Sequence, residues 1–118
     1  MEQEEGYMRV LCKEGVWFRF IDDRFLEIAK IIENVYHPYG VTPVVTSAAD
    51  GKHSANSFHP DGLAWDWRIW GLPTEDLDEI ADKIRTKARQ INFRYDVVYG
   101  DTKHLDHIHC EFDTRKTP

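Results

Sequence analysis

Two stretches of this chain alternate apolar residues with side chains that can bind metal, and that alternation limits what the chain can fold into. In Leu63-Ala64-Trp65-Asp66-Trp67-Arg68-Ile69 and in His107-Ile108-His109-Cys110-Glu111-Phe112 the period is two, the period of a β-strand. The first stretch puts Ala64, Asp66 and Arg68 on one face and Leu63, Trp65, Trp67 and Ile69 on the other. The second sets His107, His109 and Glu111 against Ile108, Cys110 and Phe112. If both apolar rows face one core, Asp66 and His109 share the opposite face. His59 lies just upstream, at the end of the polar segment Ala48 to Asp61, with Gly62 permitting a tight turn beside it. Two imidazole nitrogens and one carboxylate oxygen suit a tetrahedral Zn²⁺ at about 2.0–2.2 Å, with the fourth position open for water. An open position marks catalytic zinc, which lowers the pKa of that water to about 7. Asp106 is the candidate base to take its proton, provided it sits in the turn before the last strand; Glu111 is the rival.

The remaining chain supplies the cover for a small sheet. Met8 to Leu11 and Val16 to Phe20 read as short extended or irregular pieces around Gly15. Asp22 or Asp23 can cap a helix in which Phe25, Ile28, Ala29, Ile32 and Val35 recur at three- and four-residue spacing, ending before His37-Pro38. Thr42 to Ser47 is rich in β-branched residues and reads as a strand. Pro73-Thr74 opens a second helix, with Leu77, Ile80, Ala81, Ile84, Ala88 and Ile91 on one stripe, followed by a strand from Tyr95 to Tyr99. Gly100 to Leu105 is a polar turn, and Asp113 to Pro118 reads as a frayed tail. These elements predict an α+β fold: a small, mostly antiparallel sheet with helices on one side.

At 118 residues the chain is one domain, 1–118, with its catalytic core at about 22–112. A net charge of −6 argues against general nucleic-acid binding, which needs clustered cations. The basic run Lys83, Arg85, Lys87 and Arg89 follows Asp76, Asp78, Glu79 and Asp82, the charge order that suits a helix dipole, and reads as a solvated helix face. No apolar stretch is long enough to span a bilayer. The acidic start Met1 to Gly6 lacks the features of a secretory signal, so a cytoplasmic location is expected, with action on any external substrate only after release. Cys12 and Cys110 are too few for a disulfide framework and read as core thiols, with a bridge between them open. Trp65 and Trp67 read as core, Trp70 as freer, and His37 and His104 as surface residues.

Ser57-Phe58-His59-Pro60-Asp61-Gly62-Leu63-Ala64-Trp65-Asp66 resembles the Ser-x-His-x-x-Gly-x-Ala-x-Asp motif of the D-alanyl-D-alanine carboxypeptidase family of zinc peptidases. Asp106-x-x-His109 resembles that family's distal acidic-x-x-His motif, and the likeness spans roughly Pro43 to Phe112. It implies a fold like that of these peptidases and of the related hedgehog domain. It also implies Zn²⁺ held by His59, Asp66 and His109, with Asp106 as base where most members have Glu. Hedgehog-type domains share His53 and the string His107-Ile108-His109-Cys110, which implies that His53 and His107 line the cleft and stabilise the oxyanion. The chain departs from the family where many peptidases carry a carbonyl-polarising Arg. Here the segment is Ser47-Ala48-Ala49-Asp50-Gly51-Lys52-His53, leaving Lys52, His53 or the metal for that task.

The resemblance implies a metallopeptidase acting on peptidoglycan stem peptides. For a small single domain, a phage or prophage endolysin cutting the L-alanyl-D-glutamate bond is expected ahead of a D-alanyl-D-alanine carboxypeptidase. Such an enzyme, expected as a monomer, would reach the wall after holin-dependent release, or as a virion component. The competing class is a non-catalytic, zinc-stabilised binding module.

Overall fold

A computed structural model describes residues 8–50 and 57–118. The chain runs β1 (Leu11–Cys12), α1 (Asp23–Tyr36), β2 (Val44–Ser47), β3 (Ala64–Arg68), α2 (Leu77–Ile91), β4 (Tyr95–Val98) and β5 (His107–Phe112). Short 3-10 turns at His37–Tyr39 and Thr74–Asp76 follow α1 and precede α2. The five strands form one sheet in the order β1-β2-β3-β5-β4, in which β1 is parallel to β2 and the other pairs are antiparallel. Both helices pack against this sheet and each other, so the fold is α+β with a mostly antiparallel sheet, as the periodicities predict.

Asp22 caps α1, its carboxylate accepting the Arg24 N–H at 3.0 Å. The expected stripe of Phe25, Ile28, Ala29, Ile32 and Val35 is buried, joined by Ile31 and Tyr36. In α2 the stripe is buried from Leu77 to Ala88, but Ile91, the last residue of the helix, lies exposed. Trp65 and Trp67 fill the space between sheet and helices, with the Phe25 ring stacked on Trp67 and edge-on to Trp65. Ile108 and Cys110 are fully buried from the neighbouring strand. The helical face of the sheet is therefore aromatic and aliphatic, and the polar alternation falls on the other face.

Several expectations are corrected. Leu63 leaves the tryptophan row and packs with Phe58 and Ala64 in a small separate cluster, because β3 begins only at Ala64. The basic run of α2 is not simply solvated: Arg85 donates to the Val97 carbonyl and Arg89 to the Tyr95 carbonyl and Asp96, tying the helix to β4. The C-terminal segment is tethered, with the Asp113 N–H bonded to the Arg94 carbonyl at 2.8 Å and the Arg115 guanidinium over the Phe58 ring. Cys12 is exposed on the edge strand and Cys110 buried on β5, with β2 and β3 between them, and both are free thiols.

Val16 to Phe20 forms no strand but walls the turn that carries His59. The Trp17 carbonyl accepts the Ala49 N–H at 2.7 Å, and Phe20 lies against Gly62. Gly62 has φ +79°, and a Cβ there would stand 2.8 Å from Phe20 Cε1 and 3.3 Å from Arg19 Cβ. Gly62→Ala is therefore strained both by backbone and by contact, and it is expected to lower stability by about 1–3 kcal/mol in urea unfolding. An unchanged midpoint would contradict this close approach.

Candidate metal centre

The register of β3 on β5 builds the site. Asp66 lies directly opposite His109, Arg68 opposite His107 and Ala64 opposite Glu111. Opposed side chains on one face of an antiparallel pair have Cβ atoms about 4.5–5.5 Å apart, so Asp66 and His109 meet as a consequence of pairing. His59 reaches them from the turn before β3, closed by the Gly62 N–H on the His59 carbonyl (3.0 Å) and the Leu63 N–H on the Phe58 carbonyl (3.0 Å). The Ser57 hydroxyl accepts the His59 N–H at 3.1 Å, fixing the start of that turn.

Three ligand atoms converge. His59 Nε2 stands 3.3 Å from His109 Nδ1 and 3.2 Å from Asp66 Oδ1, and His109 Nδ1 stands 2.9 Å from the same oxygen. A tetrahedral ion bonded at about 2.0–2.1 Å would space its ligand atoms by about 3.3 Å, so the triangle is close to that demanded of three corners. His59, Asp66 and His109 are the only histidine or charged side chains buried among the described residues. A buried carboxylate beside two imidazoles, each a good donor to a divalent cation, can hold a metal ion.

The far nitrogens of both rings are also held. His59 Nδ1 donates to the Ala48 carbonyl at 2.6 Å, which turns Nε2 toward the ligand atoms. His109 Nε2 donates to Glu111 Oε1 at 2.7 Å, which turns Nδ1 the same way. Sequence offered no sign of the Ala48 contact, since a backbone carbonyl carries no residue signature.

The candidate catalytic residues lie at the rim. Asp106 sits in the bend immediately before β5, the position expected for a candidate base, with a side chain 90 % exposed. Its carboxylate accepts from His107 Nδ1 at 2.6 Å, while His107 Nε2 stands 3.5 Å from Asp66 Oδ1. Glu111, the rival base, is instead engaged on the far side of the His109 ring. His53 and Lys52 lie outside the described residues. His104, read from sequence as a surface residue, is half-buried, with its ring centroid 5.0 Å from that of His109 and 5.3 Å from that of His107. Its Nδ1 donates to Asp101 at 2.6 Å. A histidine in an aperiodic turn gives no facing information, which is why sequence missed it. His37 is exposed, as read. Trp70 is 71 % exposed, but the Arg68 guanidinium covers its ring at 3.9 Å.

Burial alone would raise the Asp66 carboxyl, but hydrogen bonds from His109 and His59 outweigh it and hold the group well below the usual carboxylate range. Burial alone would likewise lower His109, yet the carboxylates of Asp66 and Glu111 overcome it and lift the imidazole to about 9. Without metal, then, the ion pair is intact at neutral pH. The depressed Asp66 contributes stability above its unfolded pKa of about 4, and the raised His109 contributes below its unfolded pKa of about 6.5. The His109 share is lost as pH rises from about 6.5 to 9. Thermal melts with chelator present should therefore fall across that window, and added zinc should abolish the fall by taking the place of the proton. A chelated protein with a flat profile would contradict the pairing.

No protein-family model matches the chain, and no curated protein matches it in sequence. No helix among the described residues is long and apolar enough to cross a membrane.

Proposed function

We propose that this chain is a zinc metallopeptidase that hydrolyses a peptide bond in peptidoglycan stem peptides, most specifically the L-alanyl-D-glutamate bond cut by phage endolysins. The observation that carries the reading is the triangle of His59 Nε2, Asp66 Oδ1 and His109 Nδ1 at tetrahedral spacing, on residues that also match the two-part peptidase motif. Those three atoms would hold the ion. Bound there, zinc supplies Lewis acidity, polarising a carbonyl and bringing the pKa of a coordinated water to about 7.

The chain's own residues supply the rest. Asp106 and His107 form a carboxylate–imidazole pair in which Nδ1 is fixed and Nε2 faces the ligand atoms. The pair would take the proton of the attacking water at His107 Nε2, with the Asp106 carboxylate on Nδ1 stabilising the imidazolium. That Nε2–H would donate to the developing oxyanion and then pass the proton to the leaving amine as the C–N bond breaks.

Digestion of purified peptidoglycan with the zinc-loaded protein tests the reading. New amino termini at D-glutamate are expected; released D-alanine would mark a carboxypeptidase instead. No new termini at all would favour a zinc-stabilised binding module. Asp106→Ala is expected to lower hydrolysis by about 10²- to 10⁴-fold while zinc content stays the same, and undiminished hydrolysis would remove Asp106 from the mechanism.

A further inference from the structure

We propose that Glu111 is a positioning residue of the metal centre, holding the proton of His109 on Nε2 so that Nδ1 is presented to the ion; this rests on the metal reading above. The two histidines of the centre use opposite nitrogens. His59 faces the ligand atoms with Nε2, its Nδ1 bonded to the Ala48 carbonyl, whereas His109 faces them with Nδ1. Nothing in an imidazole by itself makes Nδ1 the ligand, and Asp66 Oδ1, 2.9 Å away, also attracts a proton to that nitrogen. The Glu111 carboxylate at 2.7 Å from Nε2 is the counterweight, because an acceptor there requires the hydrogen on Nε2.

The setting of Glu111 in the sheet supports a role beyond folding. It lies opposite Asp96 on β4, and like charges directly opposed across a strand pair cost stability. Asp96, Glu111 and Asp113 bring three carboxylates together at this edge. Asp96 is answered by Arg89 and Lys116, and Asp113 by Arg115, while Glu111 is directed along its own strand to the imidazole two residues back. On its other side it faces Ala64, whose small side chain leaves that row of the sheet to the Glu111 carboxylate. Charge gives a second consequence. Asp66 alone leaves a bound dication with one uncompensated positive charge, and Glu111, reaching it through the His109 ring, brings the centre to balance.

Zinc affinity measured by competition with a chromophoric chelator, together with the visible spectrum of the cobalt-substituted protein, tests this on the full chain. Glu111→Ala should weaken zinc binding by about 10- to 100-fold and alter the cobalt spectrum. Glu111→Gln keeps an oxygen that can accept the Nε2–H but carries no charge, so its affinity should fall between the two and its cobalt spectrum should resemble that of the unsubstituted protein. Affinities of both variants within twofold of the unsubstituted protein would overturn the role. So would a Glu111→Gln protein that keeps its affinity but loses hydrolysis, which would make Glu111 a proton acceptor instead. An unsubstituted protein that takes up no zinc would overturn the metal reading itself, and this inference with it.

Discussion

Everything proposed for this chain depends on the pairing of β3 with β5. With Asp66 opposite His109, the backbone pairing sets one oxygen and one nitrogen side by side, and the hydrogen bond between the two side chains closes them to 2.9 Å. A slip of one residue would turn Trp65 and Trp67 to the polar face and Asp66 into the helices. The tryptophans forbid it. Each is fully buried against the helices, and at about 25 cal/mol per Å² over the 150–250 Å² of an aromatic side chain, each contributes on the order of 4–6 kcal/mol as an upper estimate. The core thus fixes the register, and the register fixes the site.

Gathering His59, Asp66 and His109 in a buried place carries an electrostatic cost that the surroundings offset group by group. An isolated buried carboxylate would take up a proton, but two imidazoles beside Asp66 keep it ionised. Each imidazole in turn has a fixed acceptor on its far nitrogen, a neutral carbonyl for His59 and a carboxylate for His109. The metal-free centre is therefore a closed hydrogen-bonded network that already has the spacing of an ion's ligands, and exchanging a proton for a cation demands little rearrangement. The rim is different in kind. Asp106, His107 and His104 come from or adjoin one polar turn, half-buried or exposed, where groups can meet solvent.

What could be read from the residues alone follows from periodicity. Alternation in Leu63–Ile69 and His107–Phe112 sufficed to put Asp66 and His109 on one face, and three- and four-residue spacing sufficed for both helices, because those patterns are imposed by burial. It did not suffice where geometry is made by turns or by partners distant in sequence. Ile91 fits the stripe of α2 but is exposed at its last residue, and Leu63 fits the strand but precedes it. Arg85 and Arg89 resemble a solvated face, yet their guanidinium groups find carbonyls of β4. Glu111 was legible as a residue of the correct face, but whether it points at water or at the far side of His109 is decided by a rotamer that no spacing encodes.

X-ray absorption at the zinc edge of the loaded protein is the most direct test of the central claim that His59, Asp66 and His109 are the ligands. Nitrogen and oxygen neighbours alone, at about 2.0–2.1 Å and with the outer scattering of two imidazoles, are expected. A sulfur neighbour at about 2.3 Å, implicating Cys12 or Cys110, or the scattering of fewer than two imidazoles, would contradict it.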